Sequence, residues 1–143
     1  MSLTENLYKY FCACPLVDTA NKLNFNFLGE KPTEYTIEEV PETPVIQQYV
    51  SGSSIRQKTF YFASREEYGQ DARVQIEKSG FYEQMQVWVE EQNRKRRYPC
   101  MLEGQTAKRI ECLSSGYLYT SETDTARYQI QLRLTYFQKG ERA

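Results

Sequence analysis

Residues 124–138 read DTARYQIQLRLTYFQ, and their alternation decides the fold. Tyr128, Ile130, Leu132, Leu134 and Tyr136 recur at every second place, with Arg127, Gln129, Gln131, Arg133 and Thr135 between them. Successive side chains of a strand point to opposite faces, so this spacing predicts a long β-strand with one buried and one polar face. The polar face carries long hydrogen-bonding side chains. It serves either as solvated surface or as a surface for a protein partner.

Working back from it, residues 106–120 read as a second strand, with Ile110 and Cys112 inward and Lys108, Arg109 and Glu111 outward or flanking. Ser114-Ser115-Gly116 interrupts it as a bulge does, and Tyr117-Leu118-Tyr119 resumes it. A turn at 121–124 makes the two strands a hairpin, expected at the centre of the sheet. Phe81, Met85, Trp88, Val89 and Gln92 mark the buried stripe of a helix over 81–97, expected to cover that hairpin. A separate helix is expected over 65–78, with Tyr68, Ala72 and Ile76 on one side, broken at Ser79-Gly80. The run Asn93-Arg94-Lys95-Arg96-Arg97 complements the negative end of the helix dipole, or meets a phosphate or an acidic partner.

The first half of the chain gives shorter signals. Leu3, Leu7, Tyr10, Phe11 and Cys14 have helical spacing, with Thr4 as a candidate cap and Pro15 as the stop. Leu23, Phe25 and Phe27 predict a short strand ended by Gly29, residues 35–40 a second, and residues 55–63 a third. The order α–β–β–β–α–α–β–β predicts an α+β domain: one antiparallel or mixed sheet with helices packed on one face. At 143 residues the chain is read as a single domain over 1–143.

Composition excludes several chemistries. There is no histidine among the 143 residues, so the commonest general base and metal ligand are missing. Cys12 and Cys14 form a C-x-C, while Cys100 and Cys112 stand alone. Four reduced thiols are expected, with no metal site, no Cys12–Cys14 disulfide and no cofactor. The paired carboxylates Glu38-Glu39, Glu66-Glu67 and Glu90-Glu91 point in different directions on a strand or helix and make poor acid–base pairs. With no phosphate loop and no nucleophile elbow, no catalytic residue is assigned and no enzyme is expected. No signal peptide, membrane-spanning run or lipidation motif is read.

Charge is close to balanced, with 18 basic and 19 acidic residues, which speaks against a sequence-independent nucleic-acid binder. It is also divided. Residues 1–53 hold three lysines against seven acids, and residues 54–143 hold fifteen basic residues against twelve acids. Such a split suits head-to-tail association of copies. The twelve tyrosines suit half-buried and interface positions. The candidate interface is therefore Arg127, Gln129, Gln131 and Arg133, together with Tyr117 and Tyr119.

One resemblance adds to this reading. Residues 25–37, FNFLGEKPTEYTI, are similar to the DFLGxxPxxYSI pattern of small minor capsid, or tail-completion, proteins of long-tailed bacteriophages of Gram-positive hosts. GSSIR at 52–56, FASREEYG at 62–69, SGFYE at 79–83, residues 88–94 and DTARYQI at 124–130 follow in the same order. The resemblance implies a structural virion protein of the tail-terminator class. Such a protein forms a ring, a hexamer by resemblance, between a tail tube protein and a head–tail connector protein. It also implies residence in the host bacterial cytoplasm during assembly and in the virion afterwards. The alternatives are another head–tail connector or minor capsid adaptor, and, less favoured by charge, a nucleic-acid-binding module.

Overall fold

The computed structural model describes residues 2–17, 22–25, 34–67, 72–121 and 125–140. Its centre is a pair of strands, β4 (Ser54–Glu67) and β7 (Thr125–Gln138), antiparallel and paired without a break from Ser54↔Gln138 to Glu67↔Thr125. On the far side of β4 lie β2 (Glu34–Glu39) and the short β3 (Val45–Gln48), one after the other along its length. On the far side of β7 lie β5 (Gln105–Cys112) and β6 (Tyr117–Ser121). β1 (Lys22–Phe25) runs parallel to β2, so the seven-stranded sheet is mixed. With two helices among the described residues, α1 (Leu3–Cys12) and α2 (Ala72–Lys95), the fold is α+β.

The alternation in β7 dictates which face is buried. Ile130, Leu132 and Leu134 meet Phe60 and Phe62 of β4, Ile37 of β2 and Ile110 of β5, all fully or almost fully buried. α1 delivers Leu3, Leu7 and Phe11 to this face, and α2 delivers Tyr82, Met85 and Val89. Each large apolar side chain removed from water contributes about 1.5–3 kcal/mol, so this layer is the main source of stability. Ser2, rather than Thr4, caps α1: its hydroxyl accepts from the Glu5 N–H at 3.1 Å. Three side chains then tie α1 to β1 and to the segment after α2. Asn6 donates to the Cys100 carbonyl at 2.8 Å, Tyr8 to Leu23 at 2.5 Å and Tyr10 to Arg97 at 2.8 Å.

Several expectations are corrected. Residues 65–67 are strand, not helix, because they complete the ladder opposite residues 125–127. α2 runs unbroken through Ser79-Gly80: a mid-helix glycine costs about 1 kcal/mol, and burial of Tyr82, Met85 and Val89 outweighs that. Trp88 is half-buried, its ring against Tyr10 and Phe11. The hairpin is not central as a unit, since β5 and β6 form an edge and only β7 is internal. β3 was not expected at all, because it has no buried face to leave an alternation. Phe27, Gly29, Tyr68, Gly69, residues 26–33 of the capsid-protein pattern and the turn at 122–124 lie outside the described residues.

α2 ends where Arg96 turns left-handed at φ 55°, and the Arg97 and Arg96 N–H groups bond back to Gln92 at 2.9 Å and Asn93 at 3.1 Å. This is a Schellman stop, a place usually taken by glycine. Just before it, the Asn93 carboxamide accepts from the Ile110 N–H at 2.8 Å and donates to the Ile110 carbonyl. One side chain thus closes part of the outer edge of β5 as a neighbouring strand would.

Candidate functional site: the polar face of the sheet

The sheet face turned away from the helices carries the residues singled out in β7. Register sets Arg127 beside Arg65, Gln129 beside Ala63, Gln131 beside Tyr61 and Arg133 beside Thr59. The two arginines are not free. Arg127 forms a two-pronged ion pair with Glu38 of β2, at 2.9 and 3.0 Å, and its Nε donates to Gln129 at 3.0 Å. The Gln129 amide donates onward to the Tyr117 hydroxyl at 2.6 Å, and the Arg127 guanidinium lies 5.4 Å from the Tyr119 ring centre. Arg133 is held by Glu111 of β5 at 2.7 and 3.1 Å, and Arg109 shares that carboxylate at 3.3 Å.

The structure therefore joins Arg127, Gln129, Tyr117 and Tyr119 into one cluster and places Arg133 in a second. Gln129 is buried and acts as the link within the first cluster, not as exposed surface. Gln131 is half-buried, and its backbone N–H donates to the Ser114 hydroxyl at 3.2 Å. A shift in the β6 register between Leu118 and Thr120 accompanies the exposure of Tyr117, Leu118 and Tyr119, while β6 itself carries no charge. Sequence reasoning missed Glu38, Glu111 and Tyr61. The alternation of Tyr35 and Ile37 puts Glu38 on the polar face, but only strand register shows which arginine it meets.

The first cluster borders a shallow cleft of about 230 Å³, lined by Glu38, Glu39, Tyr61, Tyr119, Arg127 and Gln129. Its charges are internally compensated, and its hydrogen bonds hold the side chains in place before any partner arrives. Arginine and tyrosine are the residue types that anchor protein interfaces, and a pre-ordered surface loses less entropy on binding. The arrangement can present a rigid, near-neutral, hydrogen-bonding plane.

The thiols lie elsewhere. All four are free, with Cys12 and Cys100 exposed, Cys14 buried and Cys112 half-buried on the helix side. Burial raises the Cys14 thiol, and burial with Glu90 and Glu111 nearby pushes Cys112 to about 12. The thiolate is the reactive form, so a thiol reagent at pH 8 should label Cys12 and Cys100 quickly and the other two only on unfolding. Rapid labelling of all four in the native state would contradict the packing. Both buried thiols favour the neutral form in the folded state. The Cys112 contribution is complete below the ordinary thiol value of 9.0 and is lost as pH climbs from there towards about 12, and that of Cys14 is lost in the same direction. Stability should accordingly fall on the alkaline side, as denaturant midpoints measured across that range would show.

A scan against models of known protein families finds no match to this sequence, and a search of curated proteins finds none either.

Proposed function

We propose that this chain is a structural protein of a bacteriophage or prophage virion that caps the tail tube and helps join tail to head, acting as a homo-oligomeric ring. The observation that carries the reading is the ordered series of sequence similarities to tail-completion proteins, from FNFLGEKPTEYTI at 25–37 to DTARYQI at 124–130. The polar sheet face supports it, because a ring protein needs rigid surfaces for its neighbours and the Arg127 and Arg133 clusters offer one. On this reading the partners are other copies of the chain, a tail tube protein and a head–tail connector protein.

Charge substitutions on that face test the reading. Reversing Arg127 alone would leave Glu38 beside a second carboxylate, with an expected loss of stability of about 1.5–3 kcal/mol. Exchanging both partners, Arg127→Glu with Glu38→Arg, keeps that ion pair while inverting the pattern presented outward, and gives up only the Arg127 contacts with Gln129 and Tyr119. The exchanged protein should lose less stability than the single reversal and fail to join purified heads to tails in vitro. Joining at the wild-type rate would remove this face from the interface. A role as an adaptor at another joint of the virion would show as normal tail ends in electron micrographs with joining lost.

A further inference from the structure

Two surface features far apart in the sequence, an exposed apolar turn and an apolar groove, are of matching chemistry. The first is the turn between β3 and β4. Tyr49 and Ser53 bond across it at 2.8 Å, Gly52 takes φ 93°, and Val50 at its tip is fully exposed. Tyr49 and Ile46 beside it are also exposed, and residues 45–53 carry no charge. The turn is braced from behind. Gly140 bonds to the Ser53 hydroxyl at 3.0 Å and lies so close that an added Cβ would fall 2.4 Å from the Gly52 backbone. An uncharged apolar tip held this firmly is pre-shaped for burial, and the exposed Lys139 precedes the Gly140 that braces it.

The second feature is a groove of about 490 Å³ on the outer side of the helix layer. Its apolar lining is Pro15, Leu16, Val87 and Trp88, joined by Gly80, Gln84, Glu83 and Glu91, the last ion-paired with Lys95 at 2.5 Å. Nothing lies within 4 Å of where a Cβ would stand on Gly80, and Val87 is 62% exposed, so another backbone can approach closely.

We propose that the β3–β4 turn of one copy inserts Val50 and Tyr49 into the α1–α2 groove of the next copy, with Lys139 set towards Glu83. Apolar tip meets apolar groove, and Lys139 and Glu83 at the margin are of opposite sign, while Glu91 is already held by Lys95 at 2.5 Å. Tip and groove are different surfaces, so the contact is head-to-tail. It closes into a ring if the rotation returns to the start and extends into a chain if it does not. This deepens the ring reading above and rests on its self-association, but not on attachment to a tail.

The test uses the full chain in solution at millimolar concentration. A photo-crosslinking benzoylphenylalanine at position 50 should give a ladder of covalent oligomers, with the attachment sites in residues 15–16 and 80–91. Absence of intermolecular product, or attachment elsewhere such as the β6 edge, overturns the proposal. Val50→Glu and Val87→Glu, both at exposed positions, should each reduce the sedimenting species to monomer. An equimolar mixture of the two retains one intact tip and one intact groove, so it should form dimers and nothing larger. Variants that associate as the wild type does, or a mixture that stays monomeric, also overturn it. If the groove instead receives a tail or head protein, purified wild-type protein stays monomeric, and the self-contact fails while the head–tail role stands for its own test by gene deletion.

Discussion

Phe11→Ala is expected to lower stability by about 3–5 kcal/mol, read as a fall in the denaturant midpoint with an unchanged slope. The ring is completely buried and lies 5.6 Å from Phe60, 5.9 Å from Phe62 and 5.8 Å from Trp88, between centres. It is the piece that joins α1 to the sheet and to α2. Truncation removes its transfer free energy and leaves a hole that rigid β4 residues cannot collapse to fill. Phe11→Leu, which keeps most of the volume, should cost clearly less. A midpoint within error of wild type for the alanine variant would show that α1 does not dock as described.

The second large effect is expected at Gly116. A Cβ there would lie 2.2 Å from Tyr82 Cβ, far inside contact distance. Tyr82 cannot retreat: it is buried, its hydroxyl pairs with Ser64 at 2.6 Å, and it donates to the Tyr128 carbonyl at 3.0 Å. Gly116→Ala should cost at least the roughly 1–3 kcal/mol typical of an overpacked core. Ser115→Ala, at the exposed neighbour, should lie near wild type in the same thermal and denaturant unfolding series. Equal effects at the two positions would contradict the close approach of α2 to this edge.

These two sites also show what the sequence made legible. The phase of Leu3, Leu7 and Phe11 and the alternation of Tyr128 to Tyr136 were readable, because each element buries one side only and polar residues mark the other. Gly116 reads as an interruption in a strand, yet its reason is a tyrosine 34 positions earlier (116 minus 82), which no local pattern reveals. β3 left no signal because neither of its faces is buried. Gly80 gave a false break, since helix propensity is a weak preference that tertiary burial overrides. The same division holds at the polar face. Alternation put Arg127, Gln129, Gln131 and Arg133 together, but pairing of Arg127 with Glu38 spans 89 positions and that of Arg133 with Glu111 spans 22. Only strand register brings those partners into contact, and it turns Arg127, Gln129 and Arg133 from apparent surface groups into members of two closed networks.

The role proposed for this protein is to complete a phage tail and prepare it for the head. Deleting the gene from the phage or prophage that carries it, followed by electron microscopy of the lysate, tests this most directly. With that role, the lysate should hold filled heads lying apart from tails, with tails of irregular length and unfinished upper ends, and joined particles should return when purified protein is added. Tails of normal length attached to heads in the deletion lysate would contradict it.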